Sequence, residues 1–242
     1  TFTLNPGESR QFAVLLGIHL REENWMPVLE RYNSTRKVVS VFEETKTWWK
    51  NQVERLVFMT GDSTFNNWLV WVSLQPVMRR IFGCSFLPDF GYGRGGRGWR
   101  DLWQDCLGIL LTNPSDTREI LLNNIQGVRI DGSNATIIGL KPGEFIADRN
   151  NIPRTWMDHG VWPTVTIDLY VQQTGDYSIL LEKRPFFQDR FSHRSKKINP
   201  DWKKDEGTWL KNKKDEVVKN EIFIHLLIQN LTQFFNRGEH GN

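Results

Sequence analysis

The fold class this sequence predicts is mainly α: part of a helical repeat or toroid, preceded by a helical connector and the last hairpin of a β domain. Three observations lead there. Apolar runs at helical spacing recur from residue 64 onward. Polar, glycine-rich loops separate them, so no βαβ alternation is present. Only the opening, "FTLNPGESRQFAVLLGI", has hairpin character, with apolar runs flanking the turn residues "NPGES".

In chain order, residues 1–21 read as the end of an N-terminal β domain. Residues 22–60 read as a helical linker whose clearest piece is "TKTWWKNQVERL". Residues 61–242 read as a helical domain. Its first helix, "FNNWLVWVSLQPVMRRIF", is apolar on more than one face and is expected to be buried, with Pro76 kinking it or starting a new turn. "RDLWQDCLGILLT" is the second helix. "NPSDTREILLNNIQGV" starts at Pro114 with Ser115 and Asp116 as cap candidates, and closes at Gly127. "RIDGSNATIIGLKPGEFIADRNNIPRT" is turn-rich and expected to be irregular. "DHGVWPTVTIDLYVQQTGD" is helical with Pro163 near its first turn, and "GDYSILLEK" is a further short helix. Residues 183–214, lysine-rich and without periodicity, are expected to be a solvated insertion. "DEVVKNEIFIHLLIQNLTQFFNR" is a long apolar helix. The chain opens mid-pattern without a methionine and stops just after that helix, so a piece of a longer protein is expected.

Charged residues at 24% and hydrophobic residues at 39% describe an ordinary globular chain, and a formal charge of +3 is too mild to imply nucleic acid. Cys84 and Cys106 fit no metal motif and make no disulfide framework. No apolar run reaches the ~18 residues of a membrane span and no signal peptide is visible, so a cytoplasmic protein without a membrane partner is the expectation. The 11 Trp and 15 Phe stand out, because aromatic rings fill cores but also stack on flat ligand faces, sugars among them.

The most informative stretch is "GYGRGGRGWRDLWQDCLGIL". It lacks the Lys-Ser or Lys-Thr of a P-loop. "GYGRGG" matches a dinucleotide-binding string from Gly91 to Gly96, but an apolar helix precedes it in place of a strand. An RGG-type nucleic-acid arm would be longer and would not run straight into an apolar helix. Arg97, Arg100, Asp101 and Asp105 combine donors and acceptors as vicinal sugar hydroxyls require, and glycines permit close backbone approach. A purely structural reading stands beside this one: Asp101 caps the helix and Asp105 pairs with an arginine.

This stretch resembles the signature of the inverting phosphorylases of glycoside hydrolase family 94, which include cellobiose, chitobiose and 1,2-β-oligoglucan phosphorylases and the phosphorylase-like part of cyclic β-1,2-glucan synthases. "RTWMDHGVWPTVTIDLYVQQTGD" resembles the family's aspartate-bearing loop and following helix, and "IFIHLLIQNLTQFFNRGEHGN" resembles the helix leading to its catalytic loop. The wording is closest to the 1,2-β-oligoglucan branch. The resemblance implies a β-sandwich, a helical linker and an (α/α)6 toroid, of which 61–242 would be the N-terminal part. It implies that Arg100 and Asp105 hold the sugar whose anomeric bond is cleaved, with Arg97 (favoured over Arg94) as the upstream arginine and Asp101 structural. Trp156, Asp158 and His159 would lie near that site. This chain has Asp-His where many relatives have Asp-Asp, which makes Asp158 the safer of the two.

The implied partners are a β-linked gluco-oligosaccharide and inorganic phosphate, the latter a co-substrate with no other cofactor and no metal. Family members are often dimers, so a homodimer of the longer parent is expected. The family's proton donor sits in an Asp-Trp-Asn-Asp-Gly motif that these 242 residues do not contain. No catalytic residue is therefore assigned, and the chain alone is expected to be inactive. An α/α-toroid hydrolase and a non-catalytic carbohydrate-binding helical domain are the competing readings.

Overall fold

A computed structural model describes residues 2–17, 24–82, 96–139, 142–146, 157–190 and 207–235. The chain divides into two compact units, Thr1–Val57 and Phe58–Asn242.

In the first unit, "NPGE" turns as its residues dictate. Glu8 N–H donates to the Asn5 carbonyl at 2.9 Å, Gly7 takes a positive φ of 86°, and Asn5 N–H donates to the Glu8 carboxylate. No strand forms in residues 2–17, contrary to the expected hairpin. A lone two-stranded ribbon is marginal without a third strand or a packed face, and most of residues 2–17 are exposed. Helix α1 (Met26–Tyr32) and helix α2 (Thr35–Glu54) follow, α2 capped by Ser34, which accepts from Lys37 N–H at 3.3 Å.

The second unit holds the core. Helix α3 (Ser63–Phe82) begins where Asp62 accepts from the N–H groups of Thr64 and Phe65. It runs on through Pro76, and the expectation that it is buried fails: Phe65, Trp68 and Trp71 are about half exposed. Strand β1 (Gly96–Gly98) leads into helix α4 (Trp99–Thr112). The two tryptophans of α4 lie one turn apart and are fully buried, 5.8 Å between ring centroids. Helix α5 (Pro114–Asn124) is capped by Asn113 rather than Ser115 or Asp116; the Asn113 side chain accepts from Asp116 N–H.

The segment expected to be irregular contains β2 (Ile137–Gly139) and β3 (Phe145–Ile146), which with β1 form an antiparallel sheet in the order β1–β2–β3. Arg97 lies opposite Ile138 in that sheet. Helix α6 (Val161–Thr174) ends at Gly175 with φ 72°, the left-handed cap that glycine supplies without strain. A 3-10 turn, Tyr177–Leu181, follows. Arg118 of α5 donates to Asp176 at 2.8 Å and Glu182 at 2.9 Å, and Tyr170 also donates to Asp176, which ties α5, α6 and this turn together.

Residues 183–190 also depart from expectation. Instead of a solvated insertion they contribute β4 (Lys183–Pro185), the buried Phe186 and Phe187, and Asp189, which takes both nitrogens of a bidentate contact from buried Arg129. β4 pairs with β5 (Lys219–Glu221), which runs into helix α7 (Ile222–Phe235). His225 fastens α7 to β4: its ring stacks on Phe186 at 4.1 Å and its nitrogens lie 3.0 Å and 3.2 Å from the carbonyls of Glu221 and Pro185. Among the described residues no helix is long and apolar enough to cross a membrane.

Candidate functional site

The N-terminus of α4 is crowded by its own first turn. Gly98 is its N-cap, and a Cβ there would fall 2.1 Å from Asp101 Oδ2. Asp101 therefore folds its carboxylate back over the first turn, where the helix dipole favours negative charge. This is the structural role expected for it. The same turn points Arg100 at Asp158: Nη2 donates to Oδ1 at 3.0 Å and Nε lies 2.7 Å from Oδ2. Two motifs separated by 58 residues thus meet in a bidentate ion pair. Both partners remain over a third exposed, so the pair faces solvent.

Asp158 lies on a 3-10 turn, Met157–His159, immediately before α6. Trp162, four residues on, donates its indole N–H to Asp158 Oδ2 at 3.1 Å. An ionised carboxylate offers about four acceptor positions. Arg100 Nη2 takes one position on Oδ1 and the Trp162 indole takes one on Oδ2, which leaves acceptor capacity for a further donor. The turn hangs from the core through its backbone: the carbonyl of His159 accepts from Trp99 Nε1 at 2.9 Å and from Gln229 Nε2 at 3.3 Å. His159 itself is 5% exposed, with Nδ1 3.1 Å from the Asn134 side-chain nitrogen. Burial is the main cause that lowers its pKa to about 4; nearby Arg100 pushes the same way and Asp158 opposes.

Asp105 lies on α4 beyond Arg100. It is nearly buried, and its Oδ1 accepts from Arg79 of α3 at 3.1 Å. The arginine pairing that the structural reading required is therefore present, supplied by a residue that sequence reasoning did not single out. The structure brings Arg100, Asp158 and His159 together. Arg97 has its backbone in β1, just before α4. Trp156 and Arg94 lie outside the described residues.

Trp162, Asn134, Gln229 and Arg79 were not among the predicted site residues. Trp162 carried a signal, its spacing of four from Asp158 on a helical run. The other three carried none, because their partners lie 25 to 95 residues away.

An arginine–aspartate pair flanked by tryptophans on a helical scaffold is the kind of surface that suits a polar, ring-shaped ligand such as a carbohydrate. More particularly, the chain belongs to the glycosyl hydrolase 94 superfamily, whose catalytic-domain model it matches over residues 48–198. An N,N'-diacetylchitobiose phosphorylase of Vibrio furnissii is 27% identical over 208 residues, covering 76% of this chain and 25% of that protein. A cellobionic acid phosphorylase of Neurospora crassa is 36% identical over 86 residues, 36% of this chain and 11% of that protein. The cyclic beta-(1,2)-glucan synthase NdvB of Rhizobium meliloti is 28% identical over 185 residues, 76% of this chain and 6% of that protein. The chain thus spans about a quarter of the first of these relatives and less of the others.

Proposed function

We propose that this chain is the sugar-holding part of an inverting glycoside phosphorylase that cleaves a β-glucosidic bond of 1,2-β-oligoglucans. The observation that carries the reading is the Asp158 carboxylate, oriented by Arg100 and Trp162 with an acceptor position to spare. That arrangement suits a sugar hydroxyl, which both donates and accepts. The relatives named as phosphorylases support the reaction type. The substrate branch rests on the motif wording together with the likeness to NdvB.

In such a reaction a phosphate oxygen attacks the anomeric carbon from the face opposite the glycosidic oxygen. The C–O bond breaks, the departing oxygen takes a proton from an acid, and a sugar 1-phosphate of inverted configuration remains. Phosphate replaces the water that an inverting hydrolase activates with a second carboxylate. Arg100 and Asp158 hold the glucosyl unit, and Asp105 with Arg97 extends that hold toward the glycine-rich segment. Neither Asp158 nor Asp105 is assigned as the proton donor: each carboxylate is already held by an arginine side chain.

The test is phosphate-dependent release of glucose 1-phosphate from 1,2-β-linked gluco-oligosaccharides by the longer protein that carries these residues. Release of free glucose in the absence of phosphate would overturn the reading in favour of a hydrolase. Sugar binding without turnover, in a protein with a complete catalytic domain, would favour a binding module.

A further inference from the structure

The side chains behind Asp158 form a closed polar chain across three elements. Asn134, in the loop before β2, places its side-chain nitrogen 2.7 Å from the Ala135 carbonyl oxygen and 3.1 Å from His159 Nδ1. A carbonyl only accepts, so the group facing it is the Asn134 NH2, and the amide cannot be flipped without setting two oxygens against each other. The second N–H of that NH2 points at His159 Nδ1, which must therefore be the bare, accepting nitrogen. Gln229 of α7 closes the chain: its Nε2 faces two acceptors, Asn134 Oδ1 at 3.1 Å and the His159 carbonyl at 3.3 Å. Gln229 is fully buried, and its Oε1 finds no hydrogen-bond partner among the described residues. An orphan buried acceptor costs free energy, because the water it gave up is not replaced. The glutamine is thus held in the orientation that serves Asn134 and His159, at the expense of its own oxygen.

We infer that Asn134 and Gln229 are positioning residues that lock His159 as the neutral imidazole protonated on Nε2, and thereby fix the Met157–His159 turn that presents Asp158. The link to sugar binding rests on the function proposed above; the lock itself does not. Among the described residues, the charged groups near the imidazole are Asp158 on its own turn and Arg100 from α4. Neither is the partner of Nδ1, so the tautomer is set by the Asn134 amide.

Two-bond 1H–15N correlation on the intact protein, labelled with 15N-histidine, reads this directly. The five histidines are separated by noting which resonance is missing in His159→Gln. The expected pattern is a neutral ring with the proton on Nε2 and no titration between pH 8 and pH 5. A proton on Nδ1, or a midpoint near the ordinary 6.5, would overturn the inference. Asn134→Asp replaces the donor with a carboxylate; the proton should then move to Nδ1 and the midpoint rise by roughly 1–3 units. An unchanged ring pattern in that variant would also overturn it. The wild-type spectrum needs no substitution, so a misfolded variant does not remove the test. The measurement needs no turnover either. The expected tautomer in a protein without phosphorolysis would sink the proposed function and leave the lock standing, and an active protein with the other tautomer would do the reverse.

Discussion

Asp158 and Asp105 are both carboxylates facing arginines, yet their surroundings set them different tasks. Asp158 is partly exposed with an acceptor position unused, whereas Asp105 is nearly buried against Arg79. Asp158→Asn keeps the shape and gives up a charge-assisted bond to the sugar worth about 1.5–3 kcal/mol, while its partly exposed pair with Arg100 adds little to stability. The expected loss is roughly 10- to 100-fold in kcat/KM for phosphorolysis with an unchanged melting temperature. Asp105→Asn should cut activity by orders of magnitude while the fold holds, and Arg79→Met should cut it much less. Equal losses in the two would mean that Asp105 serves the ion pair and not the sugar. Protonation adds a further expectation. In the folded chain His159 titrates at about 4, against an ordinary value of 6.5, and burial lowers His225 in the same direction. The unfolded chain therefore binds more protons between those values. The stability tied to neutral His159 is complete above pH ~6.5 and is lost as the pH falls toward 4, on the order of 3 kcal/mol, and His225 adds a loss of the same sign. Asp176 and Glu182, held below the usual carboxylate range by hydrogen bonds from Ser178 and Arg118, add losses only at lower pH. Melting temperatures measured from pH 7 to pH 4 should fall steadily; a rise would contradict this. Arg100, Asp158 and His159 were legible because short motifs carry them. Asn134, Gln229 and Arg79 were not, since an amide or a guanidinium gains its meaning from a partner that only tertiary folding supplies.

Elements with strong internal periodicity came through the sequence well: α4 and α6 lie where their apolar spacing puts them, α6 stopping at Gly175, whereas the last predicted helix starts only at Ile222 because residues 219–221 pair with β4 as a strand. Failure came where a partner decides the outcome. Residues 137–146 look like turns and loop, but β2 finds β1 on one side and β3 on the other, and three short strands suffice. The opening segment has the better local signal, yet residues 2–17 form no ladder. Packing between α3 and α4 turns on one position. A Cβ on Gly108 would sit 2.6 Å from Pro76 Cγ, on a ring that cannot swing aside. Gly108→Ala should therefore push the helices apart, cost about 1–3 kcal/mol and weaken the Arg79–Asp105 contact. Chemical denaturation with an unchanged midpoint would show that α3 is not packed there. The glycine in "DCLGILL" reads in sequence as a weak spot in a helix; against Pro76 it is the condition for contact.

At the scale of the molecule, apolar stripes remain uncovered among the described residues. Val161, Val165 and Leu169 line α6 and Phe223, Leu227 and Leu231 line α7, each set at four-residue spacing and each residue at least 36% exposed. Such stripes exceed what scattered surface hydrophobes account for. These 242 residues produced alone should associate as concentration rises, seen as an elution volume that shifts on dilution; a sharp monomer at all concentrations would contradict this. The suspended Met157–His159 turn has a consequence in time as well as in space. One of its tethers is Trp99, made early, and another is Gln229, made 70 residues after His159. A ribosome that has reached residue 221 has synthesised both Arg100 and Asp158, but the glutamine that holds their meeting point has yet to emerge. The order of synthesis thus leaves the Met157–His159 turn without its Gln229 tether until the last described helix has docked.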